Sequence, residues 1–198
     1  MAELRRIVLV RHGETVAQSS IRFWGGRTNV DLSEEGRRQV LANLPFLSRQ
    51  SFDLVVASPL RRAWDGARLL VGSAPILILE ELREVDFGDW EGLTKDEIQL
   101  RDPVLYDAWQ SHESDFAYPG GEARPDFRAR VRRGVEKIAG SGATEALVVC
   151  HKGVIRLAVE ELRDEPLPDG APDLGGLVDV VRDASGHWIL NEAAADSG

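Results

Sequence analysis

The sequence holds a single cysteine, no long apolar run and no surplus of positive charge, and each shortage excludes something. Cys150 alone cannot close an internal disulfide, so the core must hold the fold, and a cytoplasmic compartment fits. A membrane-spanning helix needs roughly 20 consecutive apolar residues, and no stretch of this chain approaches that. The first residues lack the apolar region of a secretory signal peptide, because the run Ile7-Val8-Leu9-Val10 ends at once in Arg11. A formal net charge of -9 argues against general nucleic-acid binding, which draws on clustered positive charge. It leaves room for a local basic pocket. Repeats, low-complexity segments and domain linkers are also missing, so residues 1–198 are expected to form a single domain.

What is present is an ordinary globular composition, 43% hydrophobic and 29% charged, arranged in alternating elements. Ile7 to Val10 is a continuous, mostly β-branched run, the pattern of a central parallel strand covered on both faces. Residues 18–31 form a polar loop, after which Ser33 is placed to cap a helix with an acidic first turn. Val40, Leu44 and Leu47 share a helical face, and Pro45 should kink or restart that helix. Residues 52–57 predict a second strand, and Ser58-Pro59 a helix start with Ser58 as cap and Pro59 at the first position. A third strand is expected over 76–79, an irregular loop over 82–92, and short helices over 94–101 and 103–110. Phe127, Val131, Val135 and Ile138 mark a longer helix. A strand over 146–150, a helix over 154–162, a loop over 164–176 and a strand pair over 177–181 and 187–190 complete the chain. This order predicts an α/β fold, a three-layer α/β/α sandwich with a mostly parallel central sheet.

In open α/β sheets, ligands bind outside the carboxyl ends of the strands. Arg11 and His12 follow the first strand, residues 58–62 the second and His151 the fourth, while Glu84 lies shortly after the third. Arginine forks suit phosphate oxygens, a histidine can form a covalent intermediate, and a carboxylic acid can protonate a leaving oxygen. The set predicts a phosphate-ester site that uses a histidine. A histidine metal site is the weaker rival, because neighbouring arginines repel a cation and no short His-x-His or Cys-x-x-Cys spacing occurs.

Leu9-Val10-Arg11-His12-Gly13-Glu14-Thr15 resembles the signature of the histidine phosphatase superfamily, the phosphoglycerate mutase-like proteins. Ser58-Pro59-Leu60-Arg61-Arg62-Ala63, the stretch Leu82-Arg83-Glu84 through Gly92, Pro119-Gly120-Gly121-Glu122 and Val149-Cys150-His151-Lys152-Gly153 resemble the other family motifs, in family order. The resemblance implies a phosphoglycerate mutase-like fold and a nucleophilic His12 that carries a phosphohistidine. Arg11, Arg62 and His151 would bind the phosphoryl oxygens, and Glu84 would serve as proton donor and then as base. Arg62, which directly precedes Ala63, matches the family arginine, and the backbone at Gly153 would add a donor. Thr15, Gln18, Trp24, Gly25, Glu122 and Lys152 are expected to bind substrate. No metal and no other cofactor is implied. The implied partner is a small-molecule phosphate ester, with no nucleic acid and no membrane, and a homodimer is left open.

Two positions depart from the family pattern. Gln18 stands where many members have an asparagine, and Lys152 follows the second histidine where a small residue is common. Lys152 would favour a substrate with a second anionic group if its ammonium reaches the pocket. The compact 92–118 segment and the loop around Gly25 to Leu32 look more like the short bacterial phosphatases, including α-ribazole and broad-specificity phosphatases. The expected activity is therefore phosphomonoester hydrolysis. A phosphoglycerate mutase-type transfer is the alternative, and a non-catalytic phosphate-binding module a more distant one. His112 and His187 fall outside the motifs, Cys150 is read as inert packing, Trp90 as core, and Arg130 as a structural pairing arginine.

Overall fold

The computed structural model describes residues 3–17, 22–168 and 170–191. Six strands form one sheet: β1 (Arg6–Arg11), β2 (Leu54–Ala57), β3 (Leu77–Ile78), β4 (Glu145–Cys150), β5 (Leu177–Arg182) and β6 (Trp188–Leu190). Their order across the sheet is β3-β2-β4-β1-β5-β6. The first four strands run parallel, and β5 and β6 are added antiparallel at the β1 side.

The central strands are apolar on both faces because both faces are covered. Val8, Val10, Val55, Ala57, Leu147 and Val149 face one layer together with Ala63 and Ala67 of helix α3 (Arg61–Val71). Ile7, Leu9, Val56, Ala146, Val148 and Cys150 face the other layer, with Val131 and Ile138 of α6 (Arg124–Ala139) and Ile155 and Val159 of α7 (Lys152–Arg163). Each fully buried Val, Ile or Leu contributes about 1.5–3 kcal/mol, so these layers fix the sheet on which the site is built. The result is the expected three-layer α/β/α sandwich.

Helix α1 (Glu34–Leu41) starts where Ser33 predicts: Ser33 Oγ accepts from the Gly36 amide at 3.0 Å. Pro45 restarts the chain as the short α2 (Leu44–Leu47). Helices α4 (Lys95–Arg101) and α5 (Pro103–Gln110) follow the sequence pattern, α4 with a full capping box between Thr94 and Glu97. The expected start of α3 is wrong by two residues. The helix begins at Arg61 with Leu60 as its cap residue, because Ser58 Oγ accepts from the Leu60 amide at 3.3 Å and is engaged elsewhere. The third strand is reduced to the exposed pair Leu77 and Ile78 at the sheet edge.

Candidate active site

The register of the parallel strands places the chemistry. Arg11 pairs with Cys150 across β1 and β4, and the His12 amide donates to the Cys150 carbonyl at 3.0 Å. His12 and His151 are thereby the first residues past two adjacent strands, with ring centroids 5.1 Å apart in an edge-on arrangement. Ala57 pairs with Val149 across β2 and β4, and the Ser58 amide donates to the Val149 carbonyl at 3.0 Å. Ser58 therefore lies beside His151 on its other side.

His12 Nδ1 is 2.7 Å from the Gly13 carbonyl oxygen, so Nδ1 carries the proton and Nε2 the lone pair. Burial, then the charge of Arg62, pushes the His12 pKa down to about 3, which keeps the ring neutral at physiological pH. Gly13 is glycine for a packing reason: a Cβ there would collide with the Gly36 backbone, where α1 presses on the turn after His12. His151 is fully buried, and burial followed by the charge of Arg62 holds its pKa well below the usual value. Its Nε2 lies 2.7 Å from Ser58 Oγ.

The arginines are held by backbone carbonyls, which orient them without neutralising them. Arg11 Nη1 donates to the Pro172 carbonyl at 2.9 Å. Arg62, 1% exposed on the first turn of α3, donates from Nη1 to the Thr28 carbonyl at 2.7 Å and from Nη2 to the Gly25 carbonyl at 3.0 Å. Burial lowers the Arg62 pKa to about 10, so the group stays cationic. The Nε atoms of both arginines and Nδ1 of His151 are buried with no hydrogen-bond partner among the described residues.

Glu84 follows the short 3-10 turn Glu80–Leu82 and is 7% exposed. Its Oε1 accepts from the Val85 amide at 3.0 Å and its Oε2 from the Gly153 amide at 3.1 Å. Burial raises its pKa in spite of these bonds and of the charges on Arg62 and Arg11. The Gly153 amide thus holds Glu84. A Cβ on Gly153 would lie 2.5 Å from Glu84 Oε1, so the residue must stay small.

The family model for branch 1 of the histidine phosphatase superfamily matches residues 7–186. The chain belongs to the histidine phosphatase superfamily. It is 40% identical over 165 residues to a bifunctional protein of Mycobacterium tuberculosis, an alignment that takes in 78% of this chain and 44% of that one. The chain thus spans less than half the length of that relative. It is 35% identical over 196 residues to a glucosyl-3-phosphoglycerate phosphatase of Mycobacterium tuberculosis, 93% of this chain and 86% of that one. The solved α-ribazole phosphatase of Shigella flexneri superimposes with a TM-score of 0.84 at 29% identity, over 94% of each chain.

The fold gathers Arg11, His12, Arg62, Glu84, His151 and Gly153 into one place. Thr15 is buried and bridges to Leu32. Gly25 supplies the carbonyl that holds Arg62, and its own amide donates to Glu91 Oε2 at 3.0 Å. Trp24 packs over Gly92, with a buried indole N–H that has no acceptor among the described residues. Glu122 is a brace: both carboxylate oxygens accept from Arg130, at 2.9 and 2.7 Å. Lys152 is exposed at the start of α7, and Gln18 lies outside the described residues.

Three contributors escaped the sequence reading. Ser58 reads locally as a helix cap, yet its Oγ lies 2.7 Å from His151 Nε2. Glu91 organises the 25–28 loop by accepting from the amides of Gly25 and Arg27 and from Thr28 Oγ1, at 3.0, 3.2 and 2.5 Å. The Pro172 carbonyl, in the loop before β5, positions Arg11. Trp90, His112 and His187 agree with their expected minor roles, the first fully buried and the two histidines exposed. Burial raises the Cys150 thiol pKa well above its usual value, in keeping with inert packing.

Proposed function

We propose that this chain is a phosphomonoesterase that works through a phosphohistidine on His12. The observation that carries the reading is the set of buried nitrogens with no partner among the described residues, Arg11 Nε, Arg62 Nε and His151 Nδ1, grouped around the neutral imidazole of His12. Donors fixed in a dry site and aimed where negative charge develops are the main resource of phosphoryl-transfer catalysis.

In the proposed reaction, His12 Nε2 attacks phosphorus in line with the ester oxygen. The P–O bond to the leaving group breaks, and protonated Glu84 gives that oxygen its proton. Glu84, now a carboxylate, takes a proton from water as the water oxygen attacks phosphorus and the N–P bond breaks. Inorganic phosphate leaves, and both residues return to their starting protonation states. Arg11, Arg62 and His151 hold the non-bridging oxygens through both steps. The raised pKa of Glu84 supports its first role, since an acid catalyst must keep its proton close to working pH.

The substrate is a small phosphate ester, as the names of the relatives suggest. Lys152 and Arg156, one turn apart on α7, line a groove with Glu160, Pro166, Leu167, Gly170 and Ala171, and the Glu160 carboxylate accepts from Arg128 at 2.8 Å. That wall continues to Pro172, whose carbonyl holds Arg11. The groove therefore supports a leaving group with a second anionic group, held by Lys152 and Arg156. The test is a screen of phosphorylated metabolites, 3-phosphoglycerate included, that scores phosphate release against isomerisation in wild type and His12→Ala. Wild type should release phosphate, most efficiently from doubly anionic esters, and His12→Ala should not. Absence of phosphate release from every ester would overturn the reading.

A further inference from the structure

We infer that Ser58 is a positioning residue that fixes the tautomer of His151, so that the ring nitrogen left for the phosphoryl group carries a proton. The inference rests on the phosphatase reading for its catalytic meaning, but its physical content is a property of the resting protein.

The argument is one of hydrogen-bond supply. A hydroxyl has one proton to give and two lone pairs. Among the described residues, Ser58 Oγ makes two contacts: it accepts from the Leu60 amide at 3.3 Å, and it lies 2.7 Å from His151 Nε2. Ser58 and His151 are both fully buried, so neither can turn to water. If His151 Nε2 carried the ring proton, Ser58 Oγ would accept twice and its own proton would have no acceptor among these partners. The ring would also present the lone pair of Nδ1, the second nitrogen, to the oxygens of a bound phosphate. That arrangement is repulsive and leaves a buried donor unmet, a loss of about 1–3 kcal/mol.

The opposite assignment satisfies every group. The Leu60 amide donates to Ser58 Oγ, the Ser58 hydroxyl donates to the Nε2 lone pair, and Nδ1 bears the proton. Nδ1 is the atom left buried and without a partner among the described residues, beside His12 and the charges of Arg11 and Arg62. Ser58 thereby turns a neutral histidine into a donor aimed at the anion, as outer partners do for histidines at metal sites. The two histidines of the site then share the Nδ1–H tautomer for opposite purposes. In His12 the proton goes to the Gly13 carbonyl and frees Nε2 to attack, whereas in His151 Nε2 is capped and the proton is offered.

The test is nitrogen NMR of the resting protein with labelled histidine, with assignments from His12→Ala and His151→Gln. Wild type should show His151 protonated at Nδ1 and not at Nε2. Ser58→Ala should shift His151 towards the Nε2–H form, weaken binding of inorganic phosphate, and lower kcat/KM by about 10–100-fold. Ser58→Thr, which keeps the hydroxyl, should restore the Nδ1–H form and most of the phosphate affinity. An Nε2–H signal for His151 in wild type would overturn the inference, whether or not Ser58→Ala folds. An unchanged tautomer in folded Ser58→Ala would also overturn it. Loss of activity with no change in tautomer would point to packing alone, while the correct tautomer in a protein that hydrolyses no ester would count against the phosphatase reading and not against Ser58.

Discussion

The Gly153 amide donates to Glu84 Oε2 at 3.1 Å, while a side chain on Gly153 would sit 2.5 Å from Glu84 Oε1. One small residue at the start of α7 thus both holds the carboxyl group and leaves room for it. Gly153→Ala should displace the acid with little effect on the rest of the fold. A displacement near 1 Å at a reacting group can lower the rate by about 100-fold. Steady-state kinetics on an alkyl phosphate should show a fall in kcat of that order, with a small change in the midpoint of thermal unfolding.

In the proposed reaction Glu84 protonates the leaving oxygen, so its importance depends on how much the leaving group needs a proton. Glu84→Gln should lower kcat/KM for an alkyl phosphate by about 100–10,000-fold, the range for a general acid. For a nitrophenyl phosphate, whose phenolate leaves unaided, the loss should be far smaller. The pH profile gives a second readout. Because burial raises the Glu84 pKa, kcat/KM for the alkyl ester should fall on the alkaline side as the acid loses its proton. Glu84→Gln should remove that limb.

The loop that carries Glu84 is tied to α6. Arg130 Nη1 donates to the carbonyls of Glu81 and Arg83, at 2.9 and 2.8 Å, and its other nitrogens hold both oxygens of Glu122. Arg130→Met removes all four bonds and leaves the Glu122 carboxylate with the Asp86 amide, at 3.4 Å. Denaturant unfolding should show a loss of about 1–3 kcal/mol, and the alkyl phosphatase activity should fall with it. Loss of activity without loss of stability would mean that Arg130 acts on the substrate.

His151 predicts an acid sensitivity with a definite sign. Its pKa is held well below 6.5 in the folded protein, so between those values the unfolded chain binds the extra proton. Stability is therefore complete above about pH 6.5 and declines as the pH falls, by roughly 1.4 kcal/mol per unit for this group. Urea unfolding at pH 7 and pH 5 should show a steeper loss in wild type than in His151→Gln, whose amide does not titrate.

The sequence patterns that succeed are those in which side-chain type and position carry the information together. The apolar run before Arg11 and His12, and the run before His151, locate two parallel strand ends, and sheet geometry brings them together. Ser33 caps α1 through a local bond three residues long, so local sequence predicts it. Ser58 looks the same locally, yet its decisive partner is 93 residues away, and the tertiary contact overrides the cap. Pro172 and Gly25 act through carbonyl oxygens, which every residue possesses, so no residue type announces them. Glu122 pairs with Arg130 and Gly153 donates to Glu84, contacts that a motif does not announce, because it marks a position and not the direction in which its groups point.

The central claim is a covalent phosphohistidine on His12, and stereochemistry at phosphorus tests it most directly. A phosphate ester made chiral with the three oxygen isotopes donates its phosphoryl group to a small alcohol acceptor in place of water, and the configuration of the product ester is read by phosphorus NMR. Two in-line displacements, onto His12 and then off it, predict net retention of configuration. Inversion would show a single direct displacement and would contradict the account.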